Sequence, residues 1–456
     1  MNRRQFLKTT AAVGAAWAVV PGRVLAAKGG PNSKLNVAVI GVWGRGTAHY
    51  DSLATENIVA LCDVNEGHLA FGAKRFPKAK TYIDWRKLLD DHKALGLDAV
   101  VCCTADHTHA FIANWSLNRD LHCYMEKPLG ISVEEARVVR ANWMKKKGRL
   151  ATQVGMQRHA NPNFNRVREL VRDGAIGDLS VAYAWGNRQE RRPGYLPAEG
   201  EPPKGFHFDL WLGPSPAHPY NPAYFSRNLQ NSDKNSKYAR GSCLLWNMYW
   251  DFGAGQIGDM GSHTMDLLWN AVDATLPTSA EAKGEPFNPD VTPVTCEFHF
   301  DHPANDWRGP LRVGWYQGGA MPRSPKPYVD LNKIDHGVMF KGSKGFLIAD
   351  FTSRLLLPFG DTADLTYYKL RTKDTVLPPV DHFQKQWVDA CKNPGLKTAC
   401  DFEYSGNMIE QMLLGLVAYR VGKKIEYDGA AGKVTNCPDA NALLSRKYRD
   451  GWTLNG

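Results

Sequence analysis

The stretch LNVAVIGVWGRG, residues 35–46, constrains the fold of this chain more than any other. Its apolar run, residues 37–40, has no polar alternation, which is typical of a buried parallel strand. Gly41, Gly44 and Gly46 follow, and closely spaced glycines let a backbone turn sharply and approach a pyrophosphate. The stretch predicts the first strand and the phosphate-binding turn of a nucleotide-binding domain, with the pyrophosphate at the N-terminus of the next helix.

A second apolar run, residues 58–62, ends at Asp63, 22 residues after Gly41. Dinucleotide-binding units place an acidic residue at about this distance to bind the ribose hydroxyls of the adenosine. We expect Asp63 to favour NAD over NADP, because its carboxylate would repel a 2′-phosphate. An ordinary glycine turn in an α/β domain is the alternative interpretation.

Further strand patterns occur at residues 98–103, 121–125 and 150–154, with helical patterns at 84–95 and 109–118 between them. Ser132 and Glu135 have the spacing of a capping box. Alternating strands and helices predict a parallel sheet with right-handed crossovers, whose ligands bind at the carboxyl ends of the strands. Three loops leave those ends, at residues 41–46, 104–109 and 126–130, and this domain is expected to span residues 34–155.

The N-terminal residues have the pattern of an export signal. Arg3 and Arg4 form a twin-arginine pair, a short apolar segment follows at residues 11–20, and small residues near Ala26 offer a cleavage site. This segment is too short to span a bilayer, so we interpret residues 1–26 as a twin-arginine signal that directs the folded protein to the periplasm. We predict no membrane span elsewhere, and the twin-arginine export machinery is the implied partner.

The charge pattern argues against a nucleic-acid-binding protein, and the cysteine spacing argues against a zinc-binding or disulfide-rich one. The formal net charge of +10 falls to about +6 once the basic residues of the signal leave, and the remaining basic residues are interspersed with acids. We therefore expect no nucleic-acid partner. Nine cysteines form no CxxC pair, so neither a zinc site nor a disulfide framework is indicated, although Cys391 and Cys400 could pair in the periplasm.

The second domain is expected at residues 156–456. Apolar and polar residues alternate at 180–185, 295–300 and 312–316, which predicts a mostly antiparallel sheet. Residues 186–255 are rich in proline, asparagine and aromatic residues and show little periodicity. Four aromatic side chains there could stack on sugar rings or simply hold the loop together: Trp211, Trp246, Tyr249 and Trp250.

Two further motifs carry chemistry. Glu126-Lys127-Pro128 directly follows an apolar strand, and the proline keeps Lys127 out of helical geometry, which presents the lysine at the mouth of the cleft. A solvated ion pair in a surface turn is the alternative. Asp259 and His263 are four residues apart, so a helix would place them on one face, with Asp266 also within reach of the histidine.

A carboxylate beside His263 would raise the pKa of the imidazole and fix its tautomer, which suits a general base. These residues could also ligate a cation, but no further ligand cluster is evident and we expect no metal. A capped helix with a hydrogen-bonded histidine is the structural alternative.

Taken in order, the glycine turn with Asp63, the EKP motif and the Asp-x-x-x-His motif resemble those of the Gfo/Idh/MocA oxidoreductases. The resemblance includes DHTHA at residues 106–110, QVGMQRH at 153–159 and WDFGAGQIGDMGSHTMD at 250–266. It implies an N-terminal Rossmann domain followed by an open-faced, mostly antiparallel sheet domain. The chain departs from the family pattern at Trp43, where a second glycine is usual, and Gly44 is expected to supply the close approach instead.

The resemblance also implies roles for individual residues. Lys127 would contact the reacting hydroxyl, His263 would accept its proton and Asp259 would orient or tune the histidine. The expected contacts to the cofactor are Gly41, Trp43, Gly44, Arg45, Gly46, Asp63, Asp106, His107, His109, Glu126 and Lys127. The expected contacts to the substrate are Gln157, Arg158, His159, Trp250 and Asp266.

Three function classes remain open. The first is a periplasmic oxidoreductase that moves a hydride between a sugar carbinol carbon and a tightly bound NAD. The second is an NAD-dependent glycosidase that oxidises C3 transiently, eliminates the glycosidic bond and returns the hydride. The third is a nucleotide-retaining binding protein without turnover. A carbohydrate is the expected ligand in the first two, and the resemblance implies a homodimer or homotetramer.

Overall fold

The computed structural model describes residues 34–225, 243–325, 327, 329–360, 367 and 377–456. The predicted export signal at residues 1–26 lies outside this part of the chain. Within it, no helix combines the length and the apolar character that crossing a lipid bilayer requires.

The first sheet has six strands in the order β3-β2-β1-β4-β5-β6, and all of its pairings are parallel. Its central strand β1 is apolar from Val37 onward because both faces are covered there, and Val37 and Val39 are inaccessible to solvent. The predicted parallel sheet is therefore confirmed. The strands are β1 Asn36–Ile40, β2 Asn57–Cys62, β3 Lys80–Tyr82, β4 Ala99–Cys102, β5 His122–Met125 and β6 Thr152–Val154.

Sequence patterns gave no indication of β3, a short polar strand at the sheet edge. The helices of this domain are α1 Glu66–Arg75, α2 Trp85–Asp90, α3 Asp106–Asn118 and α4 Val133–Met144. The capping box of Ser132 and Glu135 is present at the start of α4. The predicted helix at 84–95 ends early, at Asp90, and the one predicted at 109–118 begins at Asp106.

The glycine turn leads into a 3-10 helix, Gly44–His49, instead of the expected α-helix. The amide of Gly46 donates to the carbonyl of Trp43 at 3.1 Å, which winds the chain more tightly than an α-helical turn. The expectation of an α-helix N-terminus beneath the pyrophosphate is wrong in this respect, and the turn itself must supply the backbone donors.

The second sheet has nine strands in the order β13-β12-β11-β7-β10-β9-β8-β14-β15. Its pairings are antiparallel except for β7 with β10, which confirms the mostly antiparallel prediction. The strands are β7 Leu179–Gly186, β8 Ser279–Gly284, β9 Cys296–His302, β10 Leu311–Gln317, β11 His336–Gly342, β12 Gly345–Ala349, β13 Arg354–Pro358, β14 Ile425–Asp428 and β15 Lys433–Val434.

Helices cover one face of this sheet and join it to the first domain. The long helix α9 packs both on β8 and on α4 of the nucleotide-binding domain. The helices are α5 Pro162–Arg172, α6 Phe208–Leu212, α7 Ser262–Val272, α8 Phe383–Lys392, α9 Phe402–Val421 and α10 Pro438–Ala442. A π-helical turn, Ile257–Gly261, precedes α7, and 3-10 turns occur at Gln157–Ala160, Pro222–Tyr224, Cys243–Leu245 and Leu331–Lys333.

The aromatic residues of the segment 186–255 form a core of their own. Tyr249 and Phe252 are inaccessible to solvent, and Trp211 and Trp246 pack against the same cluster. Stacking of Tyr249 on a sugar ring is therefore wrong, because its ring is enclosed. The nine cysteines are free thiols, so Cys391 and Cys400 are not joined.

A C-terminal strap, residues 443–456, returns to the first domain. Arg446 donates to the buried carboxylate of Glu135 at 2.7 Å, to the carbonyl oxygen of His107 at 2.8 Å and to Oγ of Ser215 at 3.3 Å. Further along, the indole of Trp115 donates to the carbonyl oxygen of Thr453 at 2.8 Å. The strap thus ties together both domains behind the cleft.

Replacing Arg446 by alanine should lower the free energy of unfolding by about 3 kcal/mol, because Glu135 would remain as a buried, uncompensated charge. Adding Glu135→Gln, which keeps the capping box, should restore part of the loss. The matched control, Lys385→Ala, removes an exposed pair and should cost less than about 1 kcal/mol. Equal losses for Arg446→Ala and Lys385→Ala in denaturant unfolding would contradict this account.

Candidate active site

The glycine turn after β1 is closely packed against the loop after β4. Gly41 has φ +82°, and a Cβ there would lie 2.6 Å from the carbonyl oxygen of Cys103. A Cβ at Gly46 would overlap the carbonyl oxygen of Gly41, whereas Gly44, with φ +59°, has no atom within 4 Å of a Cβ position. Gly41 and Gly46 shape the turn, and the open space is at Gly44.

Comparing two alanine substitutions separates these roles. Gly46→Ala should cost about 3 kcal/mol of unfolding free energy and abolish NAD retention, because backbone atoms must move. Gly44→Ala should cost about 1–2 kcal/mol, the strain of a left-handed conformation, because nothing obstructs its Cβ. Denaturant unfolding and the NAD content of the purified protein measure both effects. Equal losses of stability would show that packing in the turn is not decisive.

Asp63 and Trp43 flank this turn. The carboxylate of Asp63 accepts from the amides of Val42 at 3.0 Å and Asn65 at 2.9 Å, and its remaining lone pairs are available to ribose hydroxyls. Trp43 stacks on His68 with ring centroids 5.4 Å apart. The buried Nε1 of Trp43 and Nη2 of Arg45 have no partner among the described residues. Orphaned donors beside a glycine cradle fit the diphosphate and sugar of a dinucleotide.

Glu126 organises the region beneath the turn. Its carboxylate accepts from Nε of Arg45 at 2.7 Å and lies 3.0 Å from Nε2 of His49. Burial opposes its charge, but the hydrogen bond of His49 and the charge of Arg45 lower the pKa of Glu126 to about 2. A Cβ on Gly155 would overlap this carboxylate, so glycine is required there. Glu126 therefore holds Arg45 and the turn in position.

Two of the predicted cofactor contacts serve the backbone instead. Nδ1 and Nε2 of His107 face the carbonyl oxygens of Phe252 and Trp211 at 3.3 and 2.8 Å. Those of His109 face the carbonyl oxygens of Pro128 and Thr104 at 2.7 and 3.0 Å. Burial lowers the pKa of both histidines. They brace the loops of the cleft, and their ring nitrogens are not available to a cofactor.

Asp106 differs from these histidines. It begins α3, it is buried, and its Oδ2 has no partner among the described residues. Burial raises the pKa of Asp106 well above its usual value, against the opposing charge of Lys127. An unsatisfied carboxyl oxygen beside the lysine is suited to a ligand hydroxyl or amide.

Lys127 and Asp259 meet across the cleft. Lys127 follows β5 and its ammonium donates to Oδ1 of Asp259 in the π-helical turn, while Nη1 of Arg188 donates to Oδ2 of the same carboxylate at 2.6 Å. Burial opposes both charges of the Lys127–Asp259 pair. The attraction between the two charges outweighs burial, so the pKa of Lys127 is raised and that of Asp259 is lowered to about 2. Lys127 is a fixed ammonium donor.

His263 lies one turn beyond Asp259 but does not share its hydrogen bonds. Burial, together with the charges of Lys127 and Arg158, lowers the pKa of His263 to about 3. Asp259 does raise this pKa, as predicted, but its contribution is outweighed and the net shift is downward. The buried Nδ1 of His263 has no partner within the described part of the chain. The imidazole is neutral and presents an unsatisfied nitrogen.

The predicted contact of His263 with Asp266 is wrong. Asp266 is inaccessible to solvent, and its carboxylate lies 2.9 Å from Nδ1 of His159 and accepts from the hydroxyl of Tyr404 at 2.6 Å. This bond fixes the 3-10 turn that carries Gln157 and Arg158. The buried Oε1 of Gln157 has no described partner, so this turn does present polar atoms for binding.

Trp250 lies away from this group. Its indole donates to the carbonyl oxygen of Asn288 at 3.0 Å, and its ring faces the guanidinium of Arg420 at 5.1 Å. A substrate contact by Trp250 has no support in these packing partners.

Sequence reasoning missed Arg188, whose position in the run NRQERR offered no signal of its role.

Two clusters have the composition of a metal site. His159, Asp266 and Cys400 place ligand atoms within 4.8 Å of one another, and so do His49, Cys103 and Glu126. In each cluster the carboxylate already accepts a hydrogen bond, from Tyr404 or from Arg45. The hydrogen bonds account for both clusters without an ion.

Buried histidines make the fold sensitive to acid. Burial lowers the pKa of His107 and His263 to about 3 and that of His302 to about 4, whereas an unfolded histidine titrates near pH 6.5. Below about pH 6.5 the unfolded chain therefore binds more protons than the native one, and stability present above that pH is lost as the pH falls toward 4.

Denaturant unfolding between about pH 7 and pH 5 should show the free energy of unfolding decreasing by about 1 kcal/mol per pH unit for each such histidine. Replacing His302, which is remote from the cleft, by glutamine should make the slope shallower. A stability that does not change over this range, or an unchanged slope in His302→Gln, contradicts the assignment.

Known proteins resemble the two parts of this chain. Residues 35–155 match the GFO_IDH_MocA model, described as an oxidoreductase family with an NAD-binding Rossmann fold. Residues 1–19 match the signal sequence of the twin-arginine translocation pathway, which directs export to the periplasm. Residues 35–155 are thus similar to the NAD-binding Rossmann domains of the Gfo/Idh/MocA oxidoreductases.

Among curated relatives, inositol 2-dehydrogenase 2 of Saccharopolyspora erythraea is 31% identical over 169 residues, 36% of this chain and 47% of the relative. Myo-inositol 2-dehydrogenase of Thermotoga maritima is 29% identical over 150 residues, 32% of this chain and 43% of the relative. The chain thus spans about half the length of the curated relatives it matches.

The similarity of fold extends over both domains. The crystal structure of the WlbA dehydrogenase from Bordetella pertussis, in complex with NADH and UDP-GlcNAcA, superposes with a TM-score of 0.58 at 14% identity. The match covers 87% of this chain and 99% of that one. At this identity the match establishes the fold.

Proposed function

We propose that this protein is an exported NAD-dependent oxidoreductase that interconverts a secondary alcohol and a carbonyl on a sugar or a related polyol. One observation carries the proposal. Lys127, at the carboxyl end of a Rossmann strand, donates a hydrogen bond to Asp259 of the second domain. The charge of Lys127 also lowers the pKa of the neutral His263. An ammonium donor and an unprotonated imidazole from two domains thus face one cleft.

The chemistry follows from the states of these groups. Lys127 donates to the oxygen of the reacting hydroxyl and stabilises the negative charge that develops there. His263 accepts the hydroxyl proton at its unpartnered Nδ1. Bound NAD would supply the acceptor for the hydride of the carbinol carbon, which balances the oxidation of the alcohol to a carbonyl. Asp259 keeps Lys127 charged and aimed, and Arg188 holds the other oxygen of Asp259, which makes Asp259 a positioning residue.

The Rossmann side would hold the dinucleotide. The turn at Gly44 offers open space for a diphosphate, and Asp63 offers acceptors to the adenosine ribose. Asp106 offers an unsatisfied oxygen on the nicotinamide side of the lysine. We infer that the cofactor is bound tightly, because the twin-arginine route carries folded proteins and the cofactor is loaded before export.

The relatives reported above are named as dehydrogenases, which supports oxidation without net cleavage. The glycosidase alternative predicts release of the aglycone from a chromogenic glycoside with no net NADH. The oxidoreductase predicts a ketone or lactone product and a matching amount of NADH. Incubating the purified protein with a panel of sugars, inositols and chromogenic glycosides therefore separates the two.

Substituting Lys127→Met or His263→Asn should lower turnover by about 100-fold or more, because each removes a proton-handling group from the reaction. NAD retention should change little, since neither side chain shapes the glycine turn. The matched control is Lys80→Met, an exposed lysine paired with Asp91, which should keep full turnover. Initial rates of NADH formation and the NAD content of each variant provide the measurements. Full activity in either cleft variant would overturn the assignment.

A further inference from the structure

The cleft around Asp259 carries more positive than negative charge. Lys127, Arg158 and Arg188 each influence this site as cations, whereas Asp259 is the carboxylate that faces them. Both of its oxygens are already engaged, one by Lys127 and one by Arg188. Burial disfavours the charged form of Asp106, so this carboxyl does not balance the excess. The cleft therefore retains a positive charge that neither of these carboxyl groups pairs with.

Arg158 is the cation that lacks a partner. Its guanidinium carbon lies 4.1 Å from the ring centroid of Phe351, and it makes no hydrogen bond or ion pair with the described residues. Burial and the nearby charge of Arg188 lower the pKa of Arg158, and the carboxylate of Asp259 opposes them only in part. Holding a half-buried cation beside a second one costs free energy, which a bound anion would recover.

Arg158 is also held rigidly. The neighbouring His159 is fixed by the carboxylate of Asp266, and the side chain of Asn161 donates to the carbonyl oxygen of Phe351 at 3.3 Å. The guanidinium lies over the ring of Phe351 and has no hydrogen-bond partner among the described residues, so its N–H groups are available to a ligand. A planar fork of N–H groups in this arrangement matches the two oxygens of a carboxylate or phosphate.

His336 completes this part of the cleft. Its ring is stacked with Phe351 at 6.5 Å, and its buried Nε2 has no partner within the described residues. Burial lowers the pKa of His336, and the charges of Arg188 and Arg158 lower it further, although Asp335 opposes them from the surface. Phe351 thus packs against both Arg158 and His336, and the buried Nε2 of His336 is unsatisfied.

We propose that the substrate is an anionic sugar, whose carboxylate or phosphate group is bound by Arg158 together with the outward edge of Arg188. This assignment rests on the proposed function and names its substrate class. The reacting hydroxyl lies toward Lys127 and His263, and the anionic group lies toward Phe351. Binding an anion also offsets the charge of Arg158, one of the causes that lower the pKa of His263, so that the bound substrate makes its own proton acceptor more basic.

The test compares matched neutral and anionic probes on the NAD-loaded protein. The neutral probes are D-glucose, D-galactose and myo-inositol. The anionic probes are D-glucuronate and D-galacturonate for the carboxylate, and D-glucose 6-phosphate for the phosphate. Calorimetric affinity and kcat/KM for NADH formation are measured for each. We expect at least one anionic probe to exceed its neutral parent by about 100-fold in kcat/KM, with an affinity that weakens as salt is added.

The decisive variant is Arg158→Met, which keeps the apolar stem on Phe351 and removes the charge. It should lower the anionic-to-neutral ratio of kcat/KM by about 100-fold. The control Arg172→Met removes a guanidinium that also stacks on an aromatic ring, Trp307 at 5.5 Å, and should leave the ratio unchanged. Carboxylate and phosphate probes identify which anionic group the site accepts.

Different outcomes overturn different conclusions. If neutral sugars are oxidised as well as or better than the anionic ones, or if Arg158→Met lowers both kinds equally, the anionic substrate is wrong. The oxidoreductase stands in that case, provided that Lys127→Met abolishes the activity. If no probe of either charge binds or is oxidised, both the substrate class and the proposed function are wrong.

Discussion

A buried carboxylate shared by two cations holds this cleft together. Asp259 receives Lys127 from the Rossmann domain and Arg188 from the end of a strand in the other sheet. Burying a charge is costly unless it is paired, and removing one of the two cations would leave Asp259 with a single counter-ion. The EKP loop, the π-helical turn and the start of the aromatic segment therefore meet at one side chain, which links the two domains in addition to the strap and the packing of α9 on α4.

The distribution of unsatisfied polar atoms separates structural from functional groups. His107, His109, His159 and Asp266 look equally reactive in the sequence, yet each is engaged by the backbone or by another side chain. Trp43, Arg45, Asp106, Gln157 and His263 retain buried atoms without a described partner. An unsatisfied buried group costs free energy, which a ligand in the cleft would recover for these five residues. Buried atoms without a described partner also occur elsewhere, as in Trp85 and Trp387. These five residues extend along the cleft from the glycine turn to the second domain.

Local patterns predicted much of this architecture. The apolar run before Gly41, the acid at Asp63 and the capping box at Ser132 depend on neighbours in the sequence, and each was found where the pattern indicated. The ion-pair partners could not be read in this way. Asp259 and His263 are four apart, but the wider π-helical turn changes their angular relation, and a distant lysine and arginine take the carboxylate. The pKa of His263 therefore depends on burial and on charges that the spacing does not reveal.

The strap has a consequence for the order of events during biosynthesis. Glu135 and the outer face of α3 belong to the part of the chain that is made early, whereas Arg446 and Thr453 leave the ribosome among the later residues. Until they emerge, the carboxylate of Glu135 lacks Arg446 as its counter-ion, and the Trp115 side of α3 is not covered by the strap. Completion of the first domain thus depends on a residue 311 positions further along the chain than Glu135.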